Sequence, residues 1–462
     1  MIENDAFKLL LINLFHLNPN DITNIVCTTF NKMMVLLVTL ADKYQACPYC
    51  GFTAPKIKEY VTKEITHSAL TTQKCIIKYR ARRYKCPCCG KTYYEFNPFV
   101  FKSQKISILT VHNILKDLKD FNETFTSVAR RYHVSPTSVS TIFDNHVDIG
   151  RNPLPEIINF DEVYAFKSEK SKYVCVLLDF KKQIPVDVLP NRKKEYLLNY
   201  FQKIPLEERK KVKYACSDMY EVYRDVVHKV FPCSCMLLDY FHLSQDFHRK
   251  MNEVRIKVMK GYKDDKASDE YYLLKKFNWL LFKNPEDEDK YGRLFDVERE
   301  RKYNSHFKSY MNYYDLRKKI LEINNDLTIC YSLKLELVDF YSKSTIDNAQ
   351  VNLEHLIRSC IDTNIEEMIA FSNNLINWKQ EIINSFTIVG TEYKVEADKG
   401  QVVVCNKKVN NAIIENRNKI IKCIKNNANG YTNWSRFRNR VMYVLCLLYT
   451  SPSPRDRQKS RM

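Results

Sequence analysis

The sequence predicts a multidomain α/β protein, and three observations carry that prediction. Its 462 residues are too many for one small domain and suit roughly two to four units. Two Cys-x-x-C pairs, Cys47/Cys50 and Cys86/Cys89, mark a module at the N-terminus. From Glu156 the apolar period changes from helical to strand-like. The expected parts are a cysteine-bearing module at 1–100, a helical pair at 101–150, and a strand-rich core begun at 151–245. A helical insertion follows at 246–400, and a last helix completes the core at 401–445.

Composition sets the chemical class. Hydrophobic residues make up 45% and charged residues 27%, the balance of a globular chain and not of a disordered one. Apolar runs such as Met33–Leu40 fall far short of the ~18 residues of a membrane span. The N-terminus lacks the basic, apolar, small-residue order of a signal peptide. Sixteen cysteines without that signal argue for reduced thiols and metal in a cytoplasmic protein, with no membrane partner. The net charge of +19 favours a polyanion, because each phosphate neutralised by Lys or Arg releases counterions. Residues 446–462 (CLLYTSPSPRDRQKSRM) break abruptly with the Asn/Lys/Ile-rich text before them. That tail is expected to be translated sequencing-adapter text and is set apart from the fold.

Each knuckle, Cys47-Pro-Tyr-Cys50-Gly51 and Cys86-Pro-Cys88-Cys89-Gly90, presents two thiolates on one tight turn. Two such turns supply the four soft ligands of a structural Zn²⁺, and the Gly lets backbone N–H groups approach sulfur. The alternating, β-branched run Ala69–Tyr84 reads as a strand between them, giving a zinc ribbon. Cys75 and Cys88 are spare thiols. Arg80, Arg82 and Arg83, with Lys78, Tyr79 and Tyr84, are expected to form a face that tracks phosphates.

Phe125–His146 fits a helix-turn-helix. Ala129 is small where the helices would cross, while Val139 and Ile142 face inward. Ser135 caps the second helix and Pro136 fills its first position. Thr137, Ser138 and Thr141 are left to meet the major groove of DNA. Ile106–Lys119 reads as a supporting third helix.

Glu156–Phe166, Lys172–Phe180 and Gln183–Leu189 read as three consecutive strands. A helix (193–202), a strand ending before Asp218, a second helix (220–230) and a strand ending before Asp239 follow. That order is ribonuclease-H-like, a fold whose carboxylates gather at one sheet edge. Two Mg²⁺ or Mn²⁺ ions there need hard oxygen donors. Asp161, Asp218 and Asp239 are the candidates. Glu162, on the opposite strand face from Asp161, is expected to point away.

The Cys-x-x-C pairs, the helical pair, Phe-Asp161-Glu, Ser-Asp218-Met and Leu-Asp239-Tyr-Phe-His242 together resemble the IS-L-three family of bacterial insertion-sequence transposases, from about Thr23 to Leu445. The resemblance extends to Asn411-Ala-Ile-Ile-Glu415-Asn-Arg-Asn-Lys419-Ile-Ile-Lys422, with Asn416 where the family usually has Gly, and to Gly430-Tyr-x-Asn433-Trp-x-Arg-Phe437. It implies a DDE catalytic domain whose third acid is Glu415, with Asp239 beside the ligands but not one of them. Asp161 would bridge both metals, Asp218 would hold one and Glu415 the other. On a helix, Lys419 and Lys422 share the Glu415 face and suit substrate phosphates. The implied activity is binding of an element's terminal inverted repeats, metal-dependent strand cleavage, and strand transfer to double-stranded target DNA. A homodimer or higher oligomer on the bacterial nucleoid is implied as well. The alternatives are a catalytically silent DNA-binding regulator and a metal nuclease without strand transfer.

Overall fold

A computed structural model describes residues 2–43, 46–53, 55–68, 70, 72–101, 104–166, 171–395 and 402–447; the expected adapter tail falls outside them beyond residue 447. The chain divides into two compact units. The first comprises Met1–Arg151, Val163–Lys172 and Arg417–Met462, and the second Asn152–Glu162 and Tyr173–Asn416.

The first unit opens with helix α1 (Ile2–Leu14). Strands β1 (Ile22–Phe30), β2 (Met33–Leu40), β3 (Lys56–Thr66), β4 (Cys75–Lys85) and β5 (Thr92–Tyr94) follow. They form one sheet in the order β1-β2-β4-β3, with β5 against β4. β1 and β2 join through Asn31 and Lys32, both at positive φ, the two-residue turn whose twist matches antiparallel strands. Leu36, Ile65, Cys75 and Ile77 pack with Ile12 and Phe15 beneath the sheet. The strand expected from Ala69 starts only at Cys75, after a bend at 72–73.

Three helices complete this part: α2 (Ile108–Asp117), α3 (Phe125–Arg131) and α4 (Pro136–His146). Ser135 caps α4 by accepting the Ser138 N–H, with Pro136 at the first position. His133 takes positive φ in the turn between α3 and α4. Val111, Ile114, Val128, Ala129, Val139 and Phe143 form the shared core.

The second unit contains β6 (Ile157–Tyr164), β7 (Tyr173–Asp179), β8 (Pro185–Leu189), α5 (Lys194–Gln202), α6 (Leu206–Arg209), β9 (Tyr214–Ser217), α7 (Glu221–Val230) and β10 (Cys235–Leu238). Their sheet order is β10-β9-β6-β7-β8. β6, β9 and β10 run parallel, while β7 and β8 pair antiparallel. β9 and β10 are joined by a helical crossover through α7, while the longer connection from β6 to β9 carries β7, β8, α5 and α6. Phe160, Leu177, Phe201, Tyr223 and Val227 fill the layer between helices and sheet.

Then come α8 (Tyr240–Lys260), α9 (Asp269–Lys276), α10 (Tyr313–Ile323), α11 (Asn325–Lys343), α12 (Ala349–Asp362), α13 (Glu366–Asn377) and α14 (Lys379–Asn384). They pack around their own core, including Phe247, Met251, Leu274, Ile320, Leu337, Leu353 and Phe371. Residues 303–324 of the expected helical insertion are not one helix: Lys302–Asn304 pairs with Ser309–Met311, and an Asn312/Asp315 capping box begins α10. Leu353–Asn374 is likewise two helices, parted at Asn364, whose φ is +56°. A strand pair, Ile388–Val395 and Val402–Lys408, leads to α15 (Ala412–Asn427).

The last helix, α16 (Trp434–Leu447), belongs to the first unit. Its Arg440 is buried and donates to the carbonyls of Asp120 and Glu123, both at 2.8 Å. Tyr443 donates to the Leu115 carbonyl, and Arg436 pairs with Asp144. The three-helix core of residues 108–146 is therefore closed by a helix almost 300 residues away in sequence.

Candidate active site and metal centres

Four cysteines meet in the first unit. Cys47, Cys50, Cys86 and Cys89 have sulfurs all within 4.8 Å of one another. The Cys47–Cys89 and Cys50–Cys86 pairs are 3.7 and 3.5 Å apart. Four sulfurs at ~2.3 Å from one tetrahedral zinc would be spaced ~3.8 Å, so the donor set fits a zinc-type ion. Backbone geometry makes the cage: Gly51 and Gly90, at φ +74° and +69°, donate to the Cys47 and Cys86 carbonyls. Desolvation raises the Cys86 thiol, but backbone N–H groups of Cys89 and Cys88 and contact with Cys50 outweigh it, lowering it to about 7. A thiol lowered toward neutrality is a ready metal ligand.

The acids gather by strand register. Ile157, Ile158 and Asn159 of β6 pair with Tyr214, Ala215 and Cys216 of β9, and Leu238 of β10 pairs with Ser217. Carried two residues on, that register sets Asp161 level with Asp218, and one residue on sets Asp239 level with Asp218. Neighbouring strands lie ~4.8 Å apart, so the backbone of the three acids comes together where β9 and β10 end, and Asp161 senses the Asp218 charge.

A fourth acid is brought there by a clamp that sequence reasoning missed. Buried Asn159 donates to the Asn411 side chain at 2.7 Å and to the Asn410 carbonyl at 2.8 Å. Asn411 in turn donates to the Phe160 carbonyl. This fixes the start of α15, and Glu415 sits one turn later, its N–H on the Asn411 carbonyl. The signal was legible: a lone Asn in the apolar run Ile-Ile-Asn-Phe of a buried strand needs a partner. His242, in the first turn of α8, stands in the sequence motif after Asp239 but was given no role there. Its Nε2 lies 3.8 Å from Asp239 Oδ2 and 3.9 Å from Glu415 Oε1, and these three residues form the tightest group of possible ligands in the second unit among the described residues. Asp239, expected beside the ligands, is thus in contact range of Glu415.

Burial and mutual repulsion disfavour the charged forms of these acids. Desolvation, reinforced by the Asp218 charge, raises Asp161 from 3.8 to about 7. Desolvation, reinforced by Glu162, raises Asp218 to about 6. Asp239 is raised by desolvation and by Glu415, with His242 opposing. Glu162 pairs with Arg192, whose guanidinium stacks on Tyr173 and Tyr220. Whether a divalent cation fits is answered by the donors. They are hard carboxylate oxygens whose charged forms are disfavoured as they stand, and Asp218 Oδ1 is buried with no hydrogen-bond partner among the described residues. A hard dication satisfies both conditions.

The candidate DNA contacts divide. Arg82 is spoken for: it pairs with buried Glu95 at 2.8 Å and reaches the Leu40 and Ala41 carbonyls. Arg80 is exposed over the Tyr60 ring, and Arg83 pairs with Glu59. Thr137, Ser138 and Thr141 line a cavity of about 520 Å³ that also takes in Lys105, His133 and Asn145. Ser138 gives its backbone N–H to the Ser135 cap. Lys419 and Lys422 are exposed on α15, one and two turns beyond Glu415.

Residues 158–397, just over half of the chain, match the family model of ISL3-type DDE elements described as "Transposase". The chain belongs to this family of transposases. It is also 19% identical over 398 residues to the "Transposase for insertion sequence element IS1001" of Bordetella parapertussis, an alignment covering 86% of this chain and 87% of that protein. Among the described residues no helix is long and apolar enough to cross a membrane.

Proposed function

We propose that the first unit binds the terminal inverted repeats of an insertion sequence, and that the second cleaves the DNA at those ends and joins it to a target. In this reading Cys47, Cys50, Cys86 and Cys89 hold a structural Zn²⁺, and α3–α4 act as a helix-turn-helix. Thr137, Ser138 and Thr141 then face base edges, while Arg80, Arg83, Lys419 and Lys422 serve phosphates. The second sheet, with its first strand central and its acids at one edge, acts as a ribonuclease-H-like core.

The observation that carries the reading is the level row of Asp161, Asp218 and Asp239, with Glu415 brought toward it by the Asn159–Asn411 clamp. Asp161, Asp218 and Glu415 would hold the Mg²⁺ or Mn²⁺ ions. When bound, such ions supply charge stabilisation at phosphorus and acidify the attacking hydroxyl. Burial of Asp161 and of Asp218 Oδ1 limits competition from bulk water, and the Arg192–Glu162 pair holds the neighbouring charge in place. In the first step water adds to phosphorus as the bond to the 3′ oxygen breaks. In the second the freed 3′-hydroxyl oxygen adds to a target phosphorus and the target's own 3′ oxygen leaves. Both steps need in-line alignment of attacking and leaving oxygens, which fixed carboxylates provide. The setting is the nucleoid of a bacterial cytoplasm, with two or more copies bridging the element's ends.

The test is the purified chain with Mg²⁺, a supercoiled plasmid carrying the element's ends, and a target plasmid. Nicks exposing 3′-hydroxyls at the ends and joined products are expected, both lost in Glu415→Ala while end binding persists. Nicks without joined products would reduce the activity to a nuclease. Selective binding without nicks would make the chain a regulator.

A further inference from the structure

The proposed reading assigns the cations to three carboxylates, but the tightest donor group in the second unit is Asp239, His242 and Glu415. Asp239 caps α8 at the end of β10, and His242 follows in that helix's first turn. The His242 Nε2 atom is buried and has no hydrogen-bond partner among the described residues. It stands 3.8 Å from Asp239 Oδ2 and 3.9 Å from Glu415 Oε1. Those distances are too long for hydrogen bonds. They leave room for one ion among the donors: adjacent donors of an octahedral site at ~2.1 Å from the metal lie ~3.0 Å apart, so each pair would close by under ~1 Å on binding.

Resting on the reading that these acids bind divalent cations, we propose that His242 is itself a ligand. Its imidazole nitrogen and the carboxylates of Asp239 and Glu415 form one N,O,O cation locus that favours a first-row transition dication over Mg²⁺. Imidazole is a poor donor for magnesium, which keeps oxygen ligands and water, and a good one for transition ions. Glu415 would then serve a mixed-donor site, while Asp161 and Asp218 offer oxygen alone.

The full chain, free of DNA, is titrated with MnCl₂ and separately with MgCl₂ by calorimetry, and bound Mn²⁺ is examined by pulsed electron paramagnetic resonance. Tighter binding of Mn²⁺ by at least tenfold and nitrogen modulation in the spectrum are expected. His242→Ala should remove the nitrogen signal and weaken Mn²⁺ by tenfold or more, with Mg²⁺ changed less than threefold. His242→Gln, which keeps volume and polarity, should do the same, and thermal melting checks that both variants fold. Mn²⁺ bound without nitrogen modulation, or an equal loss for both ions in the variants, overturns the His242 assignment and leaves the carboxylate reading standing. If neither ion binds the unmodified chain, and Asp161→Asn changes nothing, the carboxylate reading fails as well.

Discussion

Arg82 and Asp161 show how much a residue's surroundings decide. In sequence Arg82 is one of three equivalent basic residues on a strand; in the fold its guanidinium neutralises buried Glu95. Arg82→Ala strands that carboxylate and should cost about 3 kcal/mol of stability. Arg80→Ala and Arg83→Ala should stay within about 0.5 kcal/mol while weakening DNA of any sequence. Thermal melts beside binding titrations separate the two cases. Asp161 makes a pH prediction. Its carboxyl titrates at 3.8 when exposed and about 7 when buried here, so between those values the folded chain binds more protons than the unfolded one. Stability in chelator should therefore fall as pH rises from about 4 to 7, by up to about 4 kcal/mol. Melting scans across that range should show the decline, Asp161→Asn should flatten it, and added Mg²⁺ should offset it at the upper end.

At the scale of elements, two junctions matter most. The Asn159–Asn411 bond ties strand β6 to helix α15. Either Asn→Ala change leaves a buried amide without its partner, at about 1–3 kcal/mol. The double variant should cost clearly less than the sum of the two singles, and a double-mutant cycle measures that coupling. Strand cleavage should drop at least tenfold in each single variant, because Glu415 loses its placement. The knuckle turns depend on left-handed backbone at Gly51 and Gly90. Gly90→Ala finds open space for its Cβ, so its cost is conformational, about 1–2 kcal/mol, read as lower thermal stability and easier loss of the bound metal to a chelator. The early end of α12 follows the same logic: Asn364 tolerates positive φ, and one apolar stretch becomes two helices.

For the molecule as a whole, the four cysteines lie in the first unit and the acids in the second. Stripping zinc with a thiol-competing chelator should abolish selective end binding while leaving Mn²⁺ binding at the acids within about twofold of its starting affinity. Electrophoretic shifts and calorimetry on one preparation test both halves. End binding should also fall about a thousandfold between 50 and 200 mM salt if some six phosphates are engaged. A shallow salt slope would argue against the basic face as a DNA tracker.

Local rules made much of this protein legible from sequence. Cys-x-x-C-Gly turns, the Ser135–Pro136 start of α4, and the short apolar runs of β6 through β10 arise from neighbours a few residues apart, and the structure repeats them within a few residues. The acids at Asp161, Asp218 and Asp239 were visible for the same reason, since each ends or interrupts an apolar strand. What joined them was not local. The level row is set by register between strands that follow one another only through longer connections. His242 stood in a sequence motif without a role until the fold brought it within 4 Å of a glutamate 173 positions downstream. Likewise, α16 read as the close of the core, yet its buried Arg440 finds its carbonyl partners at Asp120 and Glu123. Periodicity and capping are short-range free energies that a sequence displays. Which buried polar groups satisfy one another is decided by packing across hundreds of residues, and only the tertiary structure holds that answer.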